Sequence, residues 1–312
     1  MSSSSFLPAH ARREATVGRL AQLSSLYDGY IFDLDGTVYL GDALLPDAQR
    51  VITTIRTAGR RTVFLSNNPT RTRDECSRKL TRLGLPTSPD DIITSSIVII
   101  GFLKRTLPKA RLFVVGEQPL CDDLRGAGFT LTEVVNEIDA VIASFDRTFN
   151  YAKLQIAFDA IRAGARFFAT NGDRYCPVPG GGQPDAAAII AAIEACANTR
   201  VEAIVGKPSI HMINAILNIL KLPPERCMII GDRLETDIQM GLNAGMTTAL
   251  TLTGASTLRD AEASSIKPTH IIDDLGDLLP AFSSIQNPKS EIQNRRSRRS
   301  RTSVSLPRRR CV

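Results

Sequence analysis

The chain has 312 residues, 43% of them hydrophobic and 22% charged, which suits a globular α/β protein with room for two domains. Its six cysteines (Cys76, Cys121, Cys176, Cys196, Cys227, Cys311) form no C-x-x-C pair and its histidines are only His10, His211 and His270, so a zinc site, a histidine-rich metal centre and a secreted disulfide framework are disfavoured and a cytoplasmic location is expected. The net charge of +6 belongs to one end: eight Arg and one Lys face a single Glu after Ser283, which leaves residues 1–282 at −2.

Residues 1–27 read as an extension, with a short helix expected at Val17–Leu23. Its start has no apolar core of the kind a secretory signal needs, and its Ser-rich, acid-poor composition leaves a targeting role open. Tyr30–Phe32 reads as a buried strand running into Asp33-Leu34-Asp35-Gly36-Thr37. Apolar residues at Ala48, Val51, Ile52 and Ile55 predict a helix over Pro46–Gly59. Arg61–Leu65 reads as a strand ending at Ser66-Asn67-Asn68, and Thr72–Leu83 as a polar amphipathic helix. Ile92–Leu103 is uncharged for about twelve residues, short of the ~20 that cross a bilayer.

A separate alternating pattern occupies roughly 94–200, enough for an inserted α/β domain. Its expected strands are Arg111–Val115, Ala140–Ala143 and Arg166–Thr170, and its helices lie around Pro119–Arg125, Tyr151–Arg162 and Pro184–Ala197. Val201–Val205 is then expected to resume the first domain, followed by Gly206-Lys207-Pro208 and a helix over Ser209–Leu220. Arg226–Ile230 reads as a strand ending at Gly231-Asp232, Ile238–Ala244 as a helix, and Thr247–Leu252 and Thr269–Ile272 as the last strands. The domain ranges are thus 28–93 and 201–282 for the core, 94–200 for the insertion, and 283–312 for an Arg/Ser-rich disordered tail.

Chemistry concentrates where apolar runs stop. Asp33 and Asp35 are two apart, so in extended backbone both face one side. Their charges repel unless a cation or a shared proton intervenes, and an all-oxygen site of this kind suits Mg²⁺. The other loaded ends are Ser66/Asn67, Lys207 and Asp232. In a parallel α/β sheet, ligands bind beyond the carboxyl ends of the strands, so the four ends are expected to converge.

The ordered set Asp33-Leu-Asp-Gly-Thr, Ser66-Asn-Asn, Gly206-Lys-Pro and Gly231-Asp-Arg-Leu-Glu-Thr-Asp237 resembles the four motifs of the haloacid dehalogenase superfamily. The likeness covers about residues 28–280, and the insertion falls where that superfamily places a type II cap. Asp35-Gly-Thr-Val-Tyr-Leu-Gly41, Thr170-Asn-Gly-Asp173 and Leu252-Thr-Gly254 point to its 4-nitrophenylphosphatase and NagD-like branch. The resemblance implies a Rossmann-like doubly wound core and Mg²⁺-dependent hydrolysis of small phosphorylated metabolites: sugar phosphates, phosphoglycolate, glycerol phosphate or nucleotides. It implies Asp33 as nucleophile and Asp35 as acid and base. Mg²⁺ falls to the Asp33 carboxylate, the Asp35 carbonyl and Asp232, with Asp237 in support. Ser66, Asn67, Asn68 and Lys207 are implied at the phosphate, the plainer reading of Asn68 being a brace for their loop. An acid at position 35 favours a phosphatase over a dehalogenase or a P-type ATPase.

Specificity is expected from the cap segment Asn171–Pro177, with Asn171, Asp173, Tyr175 and Cys176 as candidates. Cys176 stands where pyridoxal phosphatase relatives carry His, and Gln183-Pro184-Asp185-Ala186 alters the turn before the cap helix. A homodimer through the cap is implied as well. Two rival readings remain. C-x₅-R occurs at Cys76…Arg82 and Cys227…Arg233, though without the Gly-rich cradle of a cysteine phosphatase. An inactive scaffold acting as a binding protein would instead use the Arg-rich tail against nucleic acid or an anionic surface.

Overall fold

The structure is a computed structural model and describes residues 27–178 and 180–279. The helix expected at Val17–Leu23 and the Arg-rich tail lie outside the described residues.

From the start, β1 (Gly29–Asp33) leads into the short hairpin β2 (Tyr39–Leu40) and β3 (Ala43–Leu44), then α1 (Ala48–Thr57), β4 (Arg61–Ser66), α2 (Arg73–Arg82), β5 (Ile92–Thr94) and α3 (Ser95–Thr106). Next come β6 (Arg111–Val115), α4 (Gln118–Gly126), β7 (Thr130–Leu131), β8 (Ala140–Ala143), α5 (Tyr151–Arg162) and β9 (Arg166–Ala169). A second hairpin, β10 (Tyr175–Val178) and β11 (Gly181–Pro184), precedes α6 (Ala186–Ala197) and β12 (Ala203–Ile204). The chain closes with α7 (Ile210–Leu220), β13 (Cys227–Gly231), α8 (Gln239–Ala244), β14 (Thr247–Thr251), α9 (Leu258–Ala263) and β15 (His270–Ile272).

Six parallel strands form the first sheet in the order β15-β14-β13-β1-β4-β5. Counted along the chain within that sheet, the chain leaves β1 toward one edge, returns, and leaves β13 toward the other. That reversal between β1 and β13 is the switch point of a doubly wound fold, where a crevice opens beyond the strand ends. Both faces of the sheet are covered, which is why its strands read as unbroken apolar runs rather than as alternation. Tyr30, Phe32, Phe64, Ile52 and Leu80 pack on one side with α1 and α2, and Ile31, Val63, Ile229, Met212 and Met240 on the other with α7 and α8.

The insertion carries its own parallel sheet, β12-β9-β8-β6-β7, with the antiparallel hairpin β10–β11 beside it. Its cores continue the pattern: Phe113, Val141, Phe167 and Ile193 pack with α5 and α6, while Leu112, Ile142 and Phe168 share a cluster with α3 and the first sheet. Local signals start the helices. Thr72 and Glu75 exchange hydrogen bonds as a capping box for α2, while Asn150 and Ser209 cap α5 and α7.

Several segments differ from the sequence reading, among them the hairpin β10–β11, where no strand was expected. The apolar stretch Ile92–Leu103 is the edge strand β5 followed directly by the buried helix α3, a division that periodicity cannot make in so short a run. The strand read at Val201–Val205 is short and pairs in parallel with β9, so it completes the second sheet rather than reopening the first. Among the described residues no helix is long and apolar enough to cross a membrane.

Candidate active site

Where β1 ends, the chain turns at Gly36, whose φ of +93° favours glycine and whose missing Cβ leaves room for the Asp232 carboxylate; an added Cβ would lie 2.5 Å from its Oδ2. Asp33 is buried at the strand end. The adjacent strand β13 delivers Asp232, whose Oδ2 accepts a hydrogen bond from the Ala255 amide at 2.6 Å. A π-helical turn over Leu234–Ile238 then brings Asp237 back toward the same point, a distortion of the kind found at functional sites.

Lys207 arrives from the other side. Gly206 lets the backbone pass so close to Thr170 and Asn67 that an added Cβ would lie 2.5 Å from the Thr170 carbonyl oxygen. The Asn67 side chain accepts from the Lys207 amide at 2.8 Å, and Ser95 at the head of α3 donates to the Asn67 carbonyl at 2.7 Å. The Lys207 ammonium thus reaches Asp33 at 2.5 Å and Asp237 at 2.6 Å. Burial opposes its charge, but the carboxylates of Asp237 and Asp33 hold it protonated well above the ordinary lysine range. Burial raises Asp33 despite Lys207, with Asp237 and Asp232 adding repulsion, and raises Asp232 to about 6.

One oxygen each of Asp33, Asp232 and Asp237 lies within 4.8 Å of the others. Three crowded, desolvated carboxylates against one ammonium leave negative charge over, and their oxygens are the donors that a hard divalent cation takes. The residues present therefore fit a Mg²⁺ ion. Asp35 sits at the edge of this group, accepting a hydrogen bond from the Tyr39 hydroxyl at 3.4 Å. Burial raises its carboxyl above the usual range, with Lys79 and Arg71 as the main opposing charges.

These groups line one pocket together with Ser66, Asn67, Asn68, Asp173, Tyr175 and Cys176. Ser66 Oγ accepts from the Asn68 amide at 3.1 Å, while the Asn68 side chain accepts from Thr70 and donates to Cys176 Sγ at 3.5 Å, bracing both the loop and the hairpin. Asn171 stands behind the pocket, buried, where it donates to Asp185 Oδ1 at 3.0 Å. Sequence reasoning gave no role to Arg233 or Asp185, and both are in the wall. Arg233 lies 4.9 Å over the Tyr175 ring, donates to the Tyr175 carbonyl at 3.1 Å and faces Asp173 at 3.6 Å. Asn67 also donates to Asp173, at 3.1 Å, so two residues of the first sheet's loops grip the segment before β10. The signal for Arg233 was its place beside Asp232; that for Asp185 was an acid before an Ala-rich helix, where it caps α6. Burial pushes the thiols of Cys76 and Cys176 up to about 12 and that of Cys227 to about 11, which argues against the cysteine-phosphatase reading of the two C-x₅-R runs.

Residues 30–130 match the profile of haloacid dehalogenase-like hydrolases, and 204–278 match a second HAD-hydrolase-like profile. The chain is 40% identical over 250 residues to the sugar-phosphatase AraL of Bacillus subtilis, covering 80% of this chain and 91% of that protein. It is 32% identical to the glycerol-3-phosphate phosphatase of Gallus gallus, covering 82% and 92%. The crystal structure of a 4-nitrophenylphosphatase from Thermotoga maritima superposes with a TM-score of 0.78 at 33% identity, covering 82% and 97%. A doubly wound sheet with an inserted cap and these acids at its switch point define a hydrolase of the haloacid dehalogenase-like family, to which the chain belongs. Within it the chain falls in the 4-nitrophenylphosphatase and NagD-like branch and is a phosphatase.

Proposed function

We propose that the protein is a Mg²⁺-dependent hydrolase of small phosphomonoesters that works through a phosphoryl group carried on Asp33. The observation that carries this reading is the meeting of Asp33, Lys207, Asp232 and Asp237 at buried strand ends, with Asp35 alongside. In the first step an Asp33 carboxylate oxygen attacks phosphorus and the ester oxygen leaves with a proton from Asp35. In the second, Asp35 takes a proton from the water that attacks the aspartyl-phosphate, and phosphate is released. Splitting the reaction this way replaces one hard displacement by two easier ones. Ser66 and the Asn67 amide donate to phosphate oxygens, and Lys207 keeps positive charge beside nucleophile and phosphoryl group through both steps. Asp33, Asp232 and the Asp35 carbonyl, with Asp237 nearby, would hold a Mg²⁺ ion, which would offset phosphoryl charge. The cap, residues 94–200 with its second sheet extending through Ala203–Ile204, shuts water out and reads the leaving group through Asp173, Tyr175 and Cys176.

The relatives named above act on sugar phosphate, glycerol 3-phosphate and 4-nitrophenyl phosphate. A phosphate-release screen over sugar phosphates, glycerol phosphate, phosphoglycolate and nucleoside monophosphates, with and without EDTA, tests the reading. Release abolished by EDTA, restored by Mg²⁺, and lost by about 10⁴-fold or more in Asp33→Asn is expected. Undiminished turnover in Asp33→Asn, or in EDTA, would overturn it.

A further inference from the structure

Next to the catalytic pocket lies a cleft of about 190 Å³ that shares Asp35, Asn68, Cys176 and Pro177 with it and is not lined by Asp33, Lys207 or Asp232. In the reading above Asp35 protonates the ester oxygen, so the space on its far side receives the leaving group. That space is cationic. Arg71, Lys79 and Arg147 line it, against Asp42 and the shared Asp35. Arg147 is committed to Glu117, to which it donates at 2.6 and 2.7 Å, and the exposed Asp42 faces Arg82 at 3.7 Å. No ion pair engages Lys79 or Arg71 among the described residues.

Lys79 is the telling group. On α2 it is only 4% exposed, and its ammonium stands 3.5 Å from the centroid of the Tyr39 ring. Burying an ammonium without a carboxylate at contact distance is costly, and an aromatic face recovers only part of the lost hydration. Tyr39 cannot supply a charge, since its hydroxyl donates toward Asp35. The exposed guanidinium of Arg71 adds a second cation at the mouth of the cleft. Asp35 and Asp42 face Lys79 without forming an ion pair with it, so an anion in contact with the two cations is what the arrangement lacks, and the substrate is what brings one in.

We propose that this cleft is a leaving-group subsite that selects phosphomonoesters bearing a second anionic group, a carboxylate or a phosphate, held by Lys79 and Arg71. The proposal rests on the phosphatase chemistry set out above and adds the charge of the group released. A carboxylate or phosphate accepting from Arg71 and Lys79 forms charge-assisted hydrogen bonds, stronger than those a neutral hydroxyl makes.

Two matched substrate pairs test it. One compares glycerol 3-phosphate with 3-phosphoglycerate, which adds a carboxylate; the other compares fructose 6-phosphate with fructose 1,6-bisphosphate, which adds a phosphate. At low ionic strength, kcat/KM for the anionic member is expected to exceed that of its neutral partner by at least tenfold in one pair, and the pair that shows it identifies the anion. In Lys79→Met and in Arg71→Gln that ratio is expected to fall by at least fivefold, and rising salt is expected to narrow it in the unmodified enzyme. Arg71 is exposed, so Arg71→Gln keeps the test open where Lys79→Met fails to fold. Equal kcat/KM within both pairs, or a preference retained in Arg71→Gln, would overturn the subsite. 4-Nitrophenyl phosphate separates the two levels: if it is hydrolysed and no preference appears, the subsite falls and the catalytic reading stands. If neither it nor any of the four esters is hydrolysed, the catalytic reading falls and the subsite with it.

Discussion

The strand ends of the first sheet and the hairpin β10–β11 face each other across one pocket, yet they are built on opposite rules. Asp33, Lys207, Asp232 and Asp237 are all less than a tenth exposed and are fixed by backbone amides, neighbouring strands and ion pairs. Across from them, Tyr175 is exposed, and the hairpin's own pairing is just four residue pairs between β10 and β11. What holds it over the pocket is contact with the other side: Arg233 to the Tyr175 carbonyl, and Asn68 to Cys176. On the proposed reading the chemistry is set in the buried sheet and the recognition in an appended ribbon. The ribbon can therefore change without disturbing the reaction.

The sharpest way to break that division is on the rigid side. Lys207→Met strands Asp33 and Asp237 in a buried site with no cation, a loss of about 3–5 kcal/mol for a broken buried pair. A melting-temperature drop together with loss of turnover is expected, and Mg²⁺ should recover part of the stability. Asp35→Asn should leave the fold intact and lower kcat for alkyl phosphates by about 10²–10⁴-fold, the usual worth of a general acid–base group. With 4-nitrophenyl phosphate, whose leaving group needs little protonation, the first step should survive and give a burst of nitrophenolate near one equivalent. A steady, burst-free loss equal for both ester types would place Asp35 outside the proton path.

On the ribbon side, Arg233→Gln removes the ring contact, the carbonyl hydrogen bond and the facing charge of Asp173 in one change. Charge-assisted contacts of this sort carry about 1.5–3 kcal/mol. The expected result is a rise in KM of about tenfold with kcat held within a few-fold. A fall in kcat at constant KM would mean that Arg233 acts on the reacting atoms and not on the hairpin.

Legibility follows the same division. Five of the six first-sheet strands, all but the edge strand β5, and their loaded ends could be read because buried parallel strands are apolar throughout and stop abruptly at polar residues. The ordered motifs then pointed to Asp33, Asp35, Lys207 and Asp232, which line one pocket. Arg233 and Asp185 escaped because their roles depend on what the insertion lays against them, and no local spacing encodes that. The hairpin was missed for a related reason. Gly181-Gly182-Gln183-Pro184 has neither alternation nor β-branched residues, so its strand character comes from pairing with Tyr175–Val178 alone. Val201–Val205 misled because a short apolar run carries no mark of which sheet it will join.

Asp185 offers the finest probe of the ribbon's foundation. It is 2% exposed, caps α6 through the Ala186 amide and accepts from Asn171, yet burial still lifts its carboxyl to about 6. The unfolded chain holds such a proton only to about pH 3.9. A folded pKa above the unfolded one means that the stabilisation is present in full below pH 4 and is lost as the pH rises through 6. Two units correspond to at most about 3 kcal/mol, with the true figure smaller where the site relaxes. Asp185→Asn keeps a cap-capable side chain and removes the titration. Denaturant unfolding of the two proteins at pH 4.5 and 7.5 should therefore show the variant gaining on the parent as the pH rises, by about 1–2 kcal/mol. A difference that is flat across this range, or that shrinks, would mean that the Asp185 carboxylate is already satisfied by its two donors and that the ribbon's base carries no buried charge cost.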